Sequence, residues 1–417
     1  MRFFYSFLMY LLIPFILIRL WWKGKSLPAY RKRIAERFFL STYEYKPVDV
    51  WVHAVSLGEV IAATPLIDAM LDKNWSLLVT TMTPTGSERV QARFGNKVMH
   101  QYLPYDLPGA LKRFYQRIKP RAGVIMETEL WPNVIYQAQT AQIPLLLANA
   151  RISDDSLQGY KKIKCLIKPV LNKFSAILTQ GEEDARRYIT LGAREEIVHV
   201  LGNMKFDLQT NSIESQRFSD LKRHWGSARI AVIAASTHEN EEAQILSQLK
   251  RLQHAIPDVI LLIAPRHPER FQAVYQLCIQ SGFKTGLRSD LHTLNPENEI
   301  VVLDSLGELL GLYQISDYAF VGGSLVPVGG HNVLEPIAMN VPVLSGHQVH
   351  NFKAICDELE AAEGILLVQS AKEAIDGIIN LHANSMLRQK MIHNATAVFE
   401  KNKGSVARHL RQIEEVI

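Results

Sequence analysis

Glu59 lies in the segment SLGEVIAATP, directly after the apolar run VDVWVHAV and at the start of a helical pattern. A carboxylate placed there can remove a proton from an attacking hydroxyl, the work of a general base in an inverting sugar transfer. It fits equally an ordinary first-turn acid, because a helix dipole is positive at that end. Glu127 and Glu129 in METELWPN come at the end of the apolar run AGVIME. Two carboxylates at a strand end suit a reaction site, or a helix cap beside a surface acid. Arg151 in NARIS and Lys205 in GNMKFD supply cations after two further runs. Arg151 offers a planar fork to a phosphate or carboxylate, or forms a plain surface ion pair.

The second half of the chain carries a different set. APRHPER closes an apolar run with Pro265, Arg266 and His267, a cation where a nucleotide phosphate would sit, or an exposed loop with ordinary charges. DSLGELLGLY puts Leu306, Gly307 and Glu308 between a strand and a helix, where backbone can meet a base, although packing and capping account for them as well. In FVGGSLVPVGGHNVLEPIAM two glycine pairs lead into a helical pattern that begins near Asn332 and continues through Val333, Leu334 and Glu335. Glycines let backbone approach a ligand, and the first N–H groups of a helix receive phosphate oxygens. Asn332 and Glu335 also have the spacing of a capping box, with Pro336 tolerated in the first turn, so Glu335 is either a ribose acceptor or a cap. No cluster of His, Cys and acids has metal-ligand spacing, and a metal-independent reaction is expected.

The elements that must hold these residues are short β-rich runs alternating with helical patterns. VDVWVHAV, SLLVTTM, AGVIME, IPLLLANA, FSAILTQ and HVLGN come first; ARIAVIAAS, DVILLIAP, EIVVLDS, DYAFVGG and VPVLSG follow a polar stretch from Gln209 to Arg223. This order predicts parallel strands with crossover helices: an α/β protein of two Rossmann-like domains, 26–208 and 209–417, with the last helix free to return to the first domain. Ligands of such sheets bind at the carboxyl ends of the strands, and two such domains facing a cleft can hold two substrates. There is neither a G-x-G-x-x-G after an early strand nor a G-x-x-x-x-G-K-[ST] loop, so dinucleotide redox chemistry and NTP hydrolysis lose ground.

With 417 residues, 47% hydrophobic and 21% charged, the chain has material for two cores. Cys165, Cys278 and Cys356 form no disulfide or zinc pattern and fit a reducing compartment. The formal charge of +5 is modest and no basic run is interleaved with aromatics, which excludes nucleic acid as a partner. Residues Phe3 to Trp22 are almost continuously apolar, the length of one bilayer crossing, so 1–25 reads as a membrane anchor. Lys23, Lys25, Arg31, Lys32, Arg33 and Arg37 follow it against a single Arg2 in front. That asymmetry places the remainder on the cytoplasmic side, with the cations meeting anionic lipid. Pro14 leaves both a crossing and a shallow docking open. A cleaved signal is disfavoured by the lack of a small-residue cleavage site, and a buried core helix is the remaining alternative.

Taken together, VSLGE, TTMTPTG, METELWPN, NARIS, GNMKFD, APRHPER, FVGGSL and GGHNVLEP closely resemble the bacterial 3-deoxy-D-manno-octulosonic acid (Kdo) transferases that modify lipid A precursor. The resemblance runs from the amino terminus to about residue 360. It implies a GT-B fold, an inverting transfer from the co-substrate CMP-Kdo to lipid A precursor (lipid IVA), no cofactor and no metal. It also implies a place at the cytoplasmic face of the Gram-negative inner membrane, among its lipids. The family's base falls on Glu59 and a second important acid on Glu127. Its CMP-contacting motifs fall on Pro265 and Arg266, on Leu306, Gly307 and Glu308, and on Asn332, Val333, Leu334 and Glu335. Arg151 and Lys205 are expected to meet the sugar or the acceptor, the Kdo carboxylate included. Val333 stands where some members have proline and Leu57 where some have valine, and neither change removes a reactive group.

Overall fold

The computed structural model of the protein describes residues 1–40, 45–207 and 215–417. The chain forms two compact units, Met1–Asp207 with Lys403–Ile417, and Leu208–Asn402. The polar stretch expected between two domains lies partly outside the described residues. From Ser215 onward it is a helix, Ser215–Trp225. Phe218, Leu221 and Trp225 recur at helical spacing and are buried in the core of the second unit, which is why a stretch that reads as polar folds.

The first unit is built on a parallel seven-stranded sheet of order β3-β2-β1-β4-β5-β6-β7. Its strands are β1 (Val50–His53), β2 (Leu77–Thr81), β3 (Met99–Tyr102), β4 (Ala122–Met126), β5 (Leu145–Ala150), β6 (Ala176–Thr179) and β7 (Val198–Val200). Helices cover both faces, so β1, β2, β4, β5 and β6 are buried along their whole length and read as continuous apolar runs. Trp51 fixes the centre: it lies opposite Gly123 in the β1–β4 register, and a Cβ there would stand 2.8 Å from its ring. The Trp51 indole N–H donates to Thr80 Oγ1 at 2.8 Å.

The second unit repeats the plan with β8 (Ile230–Thr237), β9 (Val259–Pro265), β10 (Thr285–Leu287), β11 (Ile300–Val302), β12 (Tyr318–Val321), β13 (Val343–Gly346) and β14 (Leu366–Val368). All pair in parallel in the order β10-β11-β9-β8-β12-β13-β14. In each sheet the chain starts at the centre, runs to one edge, then returns to build the other half. The reversal falls between β1 and β4 in the first sheet and between β8 and β12 in the second. Ligands of open parallel sheets bind outside the carboxyl ends of the strands at such a reversal.

The carboxy-terminal helix, Ser405–Glu414, belongs to the first unit. Ile413, with Val406 and Leu410, packs into the same core as Val60, Ala63 and Ile67 of the helix Leu57–Asp72.

At the amino terminus the apolar segment is two helices, Arg2–Leu11 and Ile13–Ser26, bent by 49°. Pro14 sits at the start of the second helix, where its missing N–H costs nothing. No single helix among the described residues is long and apolar enough to cross a membrane. One side of the pair docks on its own unit: Ser6 Oγ donates to Asn133 Oδ1 at 2.9 Å, and Arg2 stacks over the Tyr136 ring at 4.4 Å. The other side leaves Phe3, Phe4, Phe7, Phe15, Ile18, Trp21 and Trp22 exposed.

The expected basic collar is smaller than the sequence suggests. Arg37 is buried with its guanidinium 4.0 Å from the Tyr102 ring centroid, and Arg33 is spent on Glu36 and Ser87, leaving Lys23, Lys25, Arg31 and Lys32 exposed.

Candidate active site

Ser56 leaves β1 in extended conformation and caps the helix Leu57–Asp72, which makes Glu59 the third helical residue. The cap is reciprocal. Ser56 Oγ accepts from Glu59 N at 3.5 Å and donates to Glu59 Oε1 at 3.1 Å, while Glu59 Oε2 accepts from Val55 N at 2.8 Å. Its carboxyl is half-buried and pushed up to about 8, first by burial and then by the negative charges of Glu129 and Glu127; the Val55 N–H opposes the shift. A carboxyl that titrates near neutral pH can take a proton, which an ordinary surface glutamate does poorly.

Glu127 and Glu129 stand at the end of β4, across the switch point from Glu59. Glu127 adopts φ 55°, a left-handed conformation uncommon outside glycine, and its carboxylate pairs with Arg151 Nε at 3.3 Å. Glu129 accepts from Trp131 Nε1 at 2.6 Å, and burial holds its carboxyl above the usual range. Lys205 completes the group from the turn after β7, with its backbone N–H donating to Asn203 Oδ1 at 3.0 Å. Burial lowers the Lys205 ammonium while Glu127 opposes that shift and Arg151 adds to it, so the three charges act on one another. Glu59, Glu127, Arg151 and Lys205, predicted from separate segments, are thus brought together in the first unit.

What holds this group is a network that the sequence did not reveal. Asn149, at φ 52° near the end of β5, accepts from Met204 N at 3.0 Å through its Oδ1. Its own N–H donates to Nε2 of the fully buried His409 at 3.1 Å, on the carboxy-terminal helix. His409 Nδ1 lies 2.8 Å from the Ser405 carbonyl, which makes Nδ1 the protonated nitrogen and Nε2 the acceptor. Ser405 Oγ donates to the Gly202 carbonyl at 2.8 Å, and Asp207 accepts from Gly404 N and Val406 N. The loop that presents Lys205 is therefore tied to the last helix at several points.

In the second unit, Arg266 is exposed at the end of β9, its N–H donating to the Thr237 carbonyl at 3.0 Å. Its charge reaches Glu335, whose carboxyl is held above the ordinary range by burial, with Asn332 and then Arg266 opposing. Asn332 Nδ2 donates to Glu335 Oε1 at 3.1 Å, and Asn332 Oδ1 accepts from Leu334 N at 3.1 Å. The expected helix there is short, Leu334–Ala338, with Val333 as its N-cap. Five residues build too small a dipole to receive a phosphate by themselves. Val333 and Leu334 are buried and the Leu334 N–H is taken, so their side chains serve the core. Pro265 is buried as well.

The Leu306–Gly307–Glu308 turn lies beyond β11, the neighbour of β9. Leu306 is exposed, Gly307 adopts φ 80°, and Glu308 is held by Arg288 at 3.0 Å, by Arg217 and by Ser305. Three further residues at the switch point were not among the candidates, although one, His331, lies inside the GGHNVLEP motif. Glu241, fully buried, accepts from the N–H groups of Gly323 at 2.7 Å, Ser324 at 3.0 Å, Leu325 at 2.9 Å and His238 at 2.9 Å. It thereby clamps the double-glycine loop after β12 to the end of β8. His238 and His331 stand over that loop.

The comparisons with known proteins agree with this architecture. Residues 32–208 match the family model of the 3-deoxy-D-manno-octulosonic-acid transferase (kdotransferase). A 3-deoxy-D-manno-octulosonic acid transferase of Haemophilus influenzae is 40% identical over 98% of this chain and 97% of its own length. That of Bordetella pertussis is 33% identical over 88% and 87%. Among solved structures, the UDP-GlcNAc 2-epimerase of Neisseria meningitidis bound to UDP-GlcNAc superposes with a TM-score of 0.58 over 88% of this chain and 99% of its own, at 14% identity, a likeness of fold. With near-complete coverage by a relative that similar, the chain belongs to the 3-deoxy-D-manno-octulosonic acid transferase family of glycosyltransferases.

Proposed function

We propose that the protein transfers Kdo with inversion from CMP-Kdo to a lipid A precursor (lipid IVA), without a metal ion, in lipopolysaccharide core biosynthesis. The observation that carries this reading is Glu59: a half-buried carboxyl pushed up to about 8, at the switch point of the first sheet. In the step, Glu59 takes the proton of an acceptor hydroxyl as its oxygen bonds to the anomeric carbon of Kdo. The bond from that carbon to the phosphate oxygen breaks on the opposite side, and CMP departs with the electron pair. Glu127 keeps Arg151 in place and Glu59 protonatable; Arg151 and Lys205 receive the Kdo carboxylate or acceptor phosphates.

CMP is held in the second unit by Arg266, by the turn Leu306 to Glu308 and by the segment Asn332 to Glu335. The exposed apolar side of the amino-terminal helix pair, with Lys23, Lys25, Arg31 and Lys32 beside it, fits shallow docking in an anionic leaflet, which would keep the protein at the cytoplasmic face of the inner membrane. The test is transfer of labelled Kdo from CMP-Kdo to tetraacyl lipid A precursor with chelator present, the product mass counting the sugars added. Transfer that survives chelation supports the reading, and no transfer by folded protein overturns it.

A further inference from the structure

His238 follows β8 and His331 follows the second glycine pair, 93 positions later, yet their Nε2 atoms lie 2.8 Å apart. The rings are nearly parallel, at 4° with centroids 5.1 Å apart, and His267 meets His238 edge-on at 5.2 Å. The room for this pair comes from Gly323, at φ 66°: a Cβ there would stand 2.8 Å from His331 Cδ2, 2.9 Å from its Nε2 and 3.4 Å from His238 Cδ2. Glu241 holds the Gly323 and His238 N–H groups together, so both the loop and one imidazole are fixed by the same carboxylate.

Two Nε2 atoms at hydrogen-bond distance can share one proton and no more, since two N–H groups cannot point at each other. The neutral pair has one ring donating through Nε2–H and the other accepting. A single added proton lands on Nδ1 of the donating ring and gives the pair one positive charge; a second would break the contact. The surroundings decide when that happens. Facing the pair are Arg266 and His267 on the cationic side, together with Arg270, which is paired with the buried Glu242 at 2.7 and 3.0 Å, and Glu241 on the anionic side, with Glu335 beyond Arg266. Without an anion, burial first and the neighbouring cations after it hold both imidazoles below their ordinary value, with His331 pushed down to about 4. An anion in front of Arg266 reverses the balance.

We propose that His238 and His331 are the phosphate-receiving element of the donor site, and that together they bind one proton when the phosphate of a nucleotide sugar arrives beside Arg266. The inference rests on the assignment of CMP-Kdo binding to this unit. Arg266 supplies a permanent charge, while the pair supplies one that exists when the ligand is present, so the empty site is not burdened with clustered cations.

The test is isothermal titration of the full-length protein with CMP at pH 7, in buffers of different ionisation enthalpy, so that protons exchanged on binding are counted. CMP titrates too, with a second phosphate pKa of about 6, and the comparison with His331→Gln and His238→Gln, measured separately, cancels that contribution. The expected result is uptake of a large part of one proton per CMP beyond that of either variant, with CMP affinity about tenfold weaker in the variants. Binding of CMP with no excess uptake overturns the proposal, as does excess uptake with free Kdo and none with CMP. No binding of CMP to folded wild-type protein overturns the donor assignment and this inference with it.

Discussion

A carboxyl that keeps its proton to about pH 8 has two separable consequences. As a base Glu59 works deprotonated, so kcat/KM should climb about tenfold per pH unit until about pH 8 and then level; a flat profile from pH 6 upward would remove Glu59 from the base role. As a structural group it works in the opposite sense. The folded carboxyl is raised above its ordinary 4.5, so between 4.5 and about 8 the folded state binds more protons than the unfolded one, and stability falls as pH rises through that window. Glu59→Gln keeps the capping hydrogen bonds to Val55 and Ser56 but has no such window. Its melting temperature should gain on wild type as pH rises from 4.5 to about 8 and hold that lead above it, while turnover falls by about 10²–10⁴ and CMP binding persists. Loss of CMP binding as well would mark Glu59 as a structural residue of the first sheet.

Among the elements, most strands that sequence patterning found are buried on both faces, because a continuous apolar run such as VILLIAP has no other soluble fate; the edge strand Val198–Val200, found from HVLGN, is the exception. The ones it missed, Met99–Tyr102, Thr285–Leu287 and Leu366–Val368, are all at sheet edges, where half the side chains meet solvent and pairing is settled by the neighbour. Candidate residues at strand ends were legible for the same reason: the switch-point rule needs strand order alone. Their supports were not. Glu241 reads as a plain first-turn acid, yet three of its four N–H partners come from a loop 82 to 84 positions away, and His409 meets Asn149 across 260. Replacing Glu241 by alanine strips the acceptor from four N–H groups and should cost about 3 kcal/mol in the second unit along with CMP affinity. His409→Leu leaves the Asn149 N–H buried without an acceptor, at about 1–3 kcal/mol, and should lower kcat through the Lys205 loop with CMP affinity unchanged. A melting curve and a CMP titration on each variant separate the two effects.

At the scale of the molecule, the exposed Phe and Trp side chains among the described residues gather on the amino-terminal helix pair, with Phe3 84% and Trp22 70% exposed. Vesicles containing anionic lipid should carry the full chain upward in a density gradient, and replacement of Phe3, Phe7 and Phe15 by serine should leave it at the bottom with its melting temperature unchanged. Flotation that persists would assign the attachment to another surface. The way the chain is divided has a different reach. The first unit begins at Met1, is interrupted by the whole of Leu208–Asn402, and regains its own core only with Ser405–Glu414. During synthesis, then, the earliest half to emerge is the last to be finished, and it waits through the making of the second with the flank of Leu57–Asp72 uncovered. A ribosome that stops anywhere before residue 403 releases a chain whose Lys205 loop lacks its ties to the last helix, so truncated products should be inactive and readily cleared rather than half-working transferases.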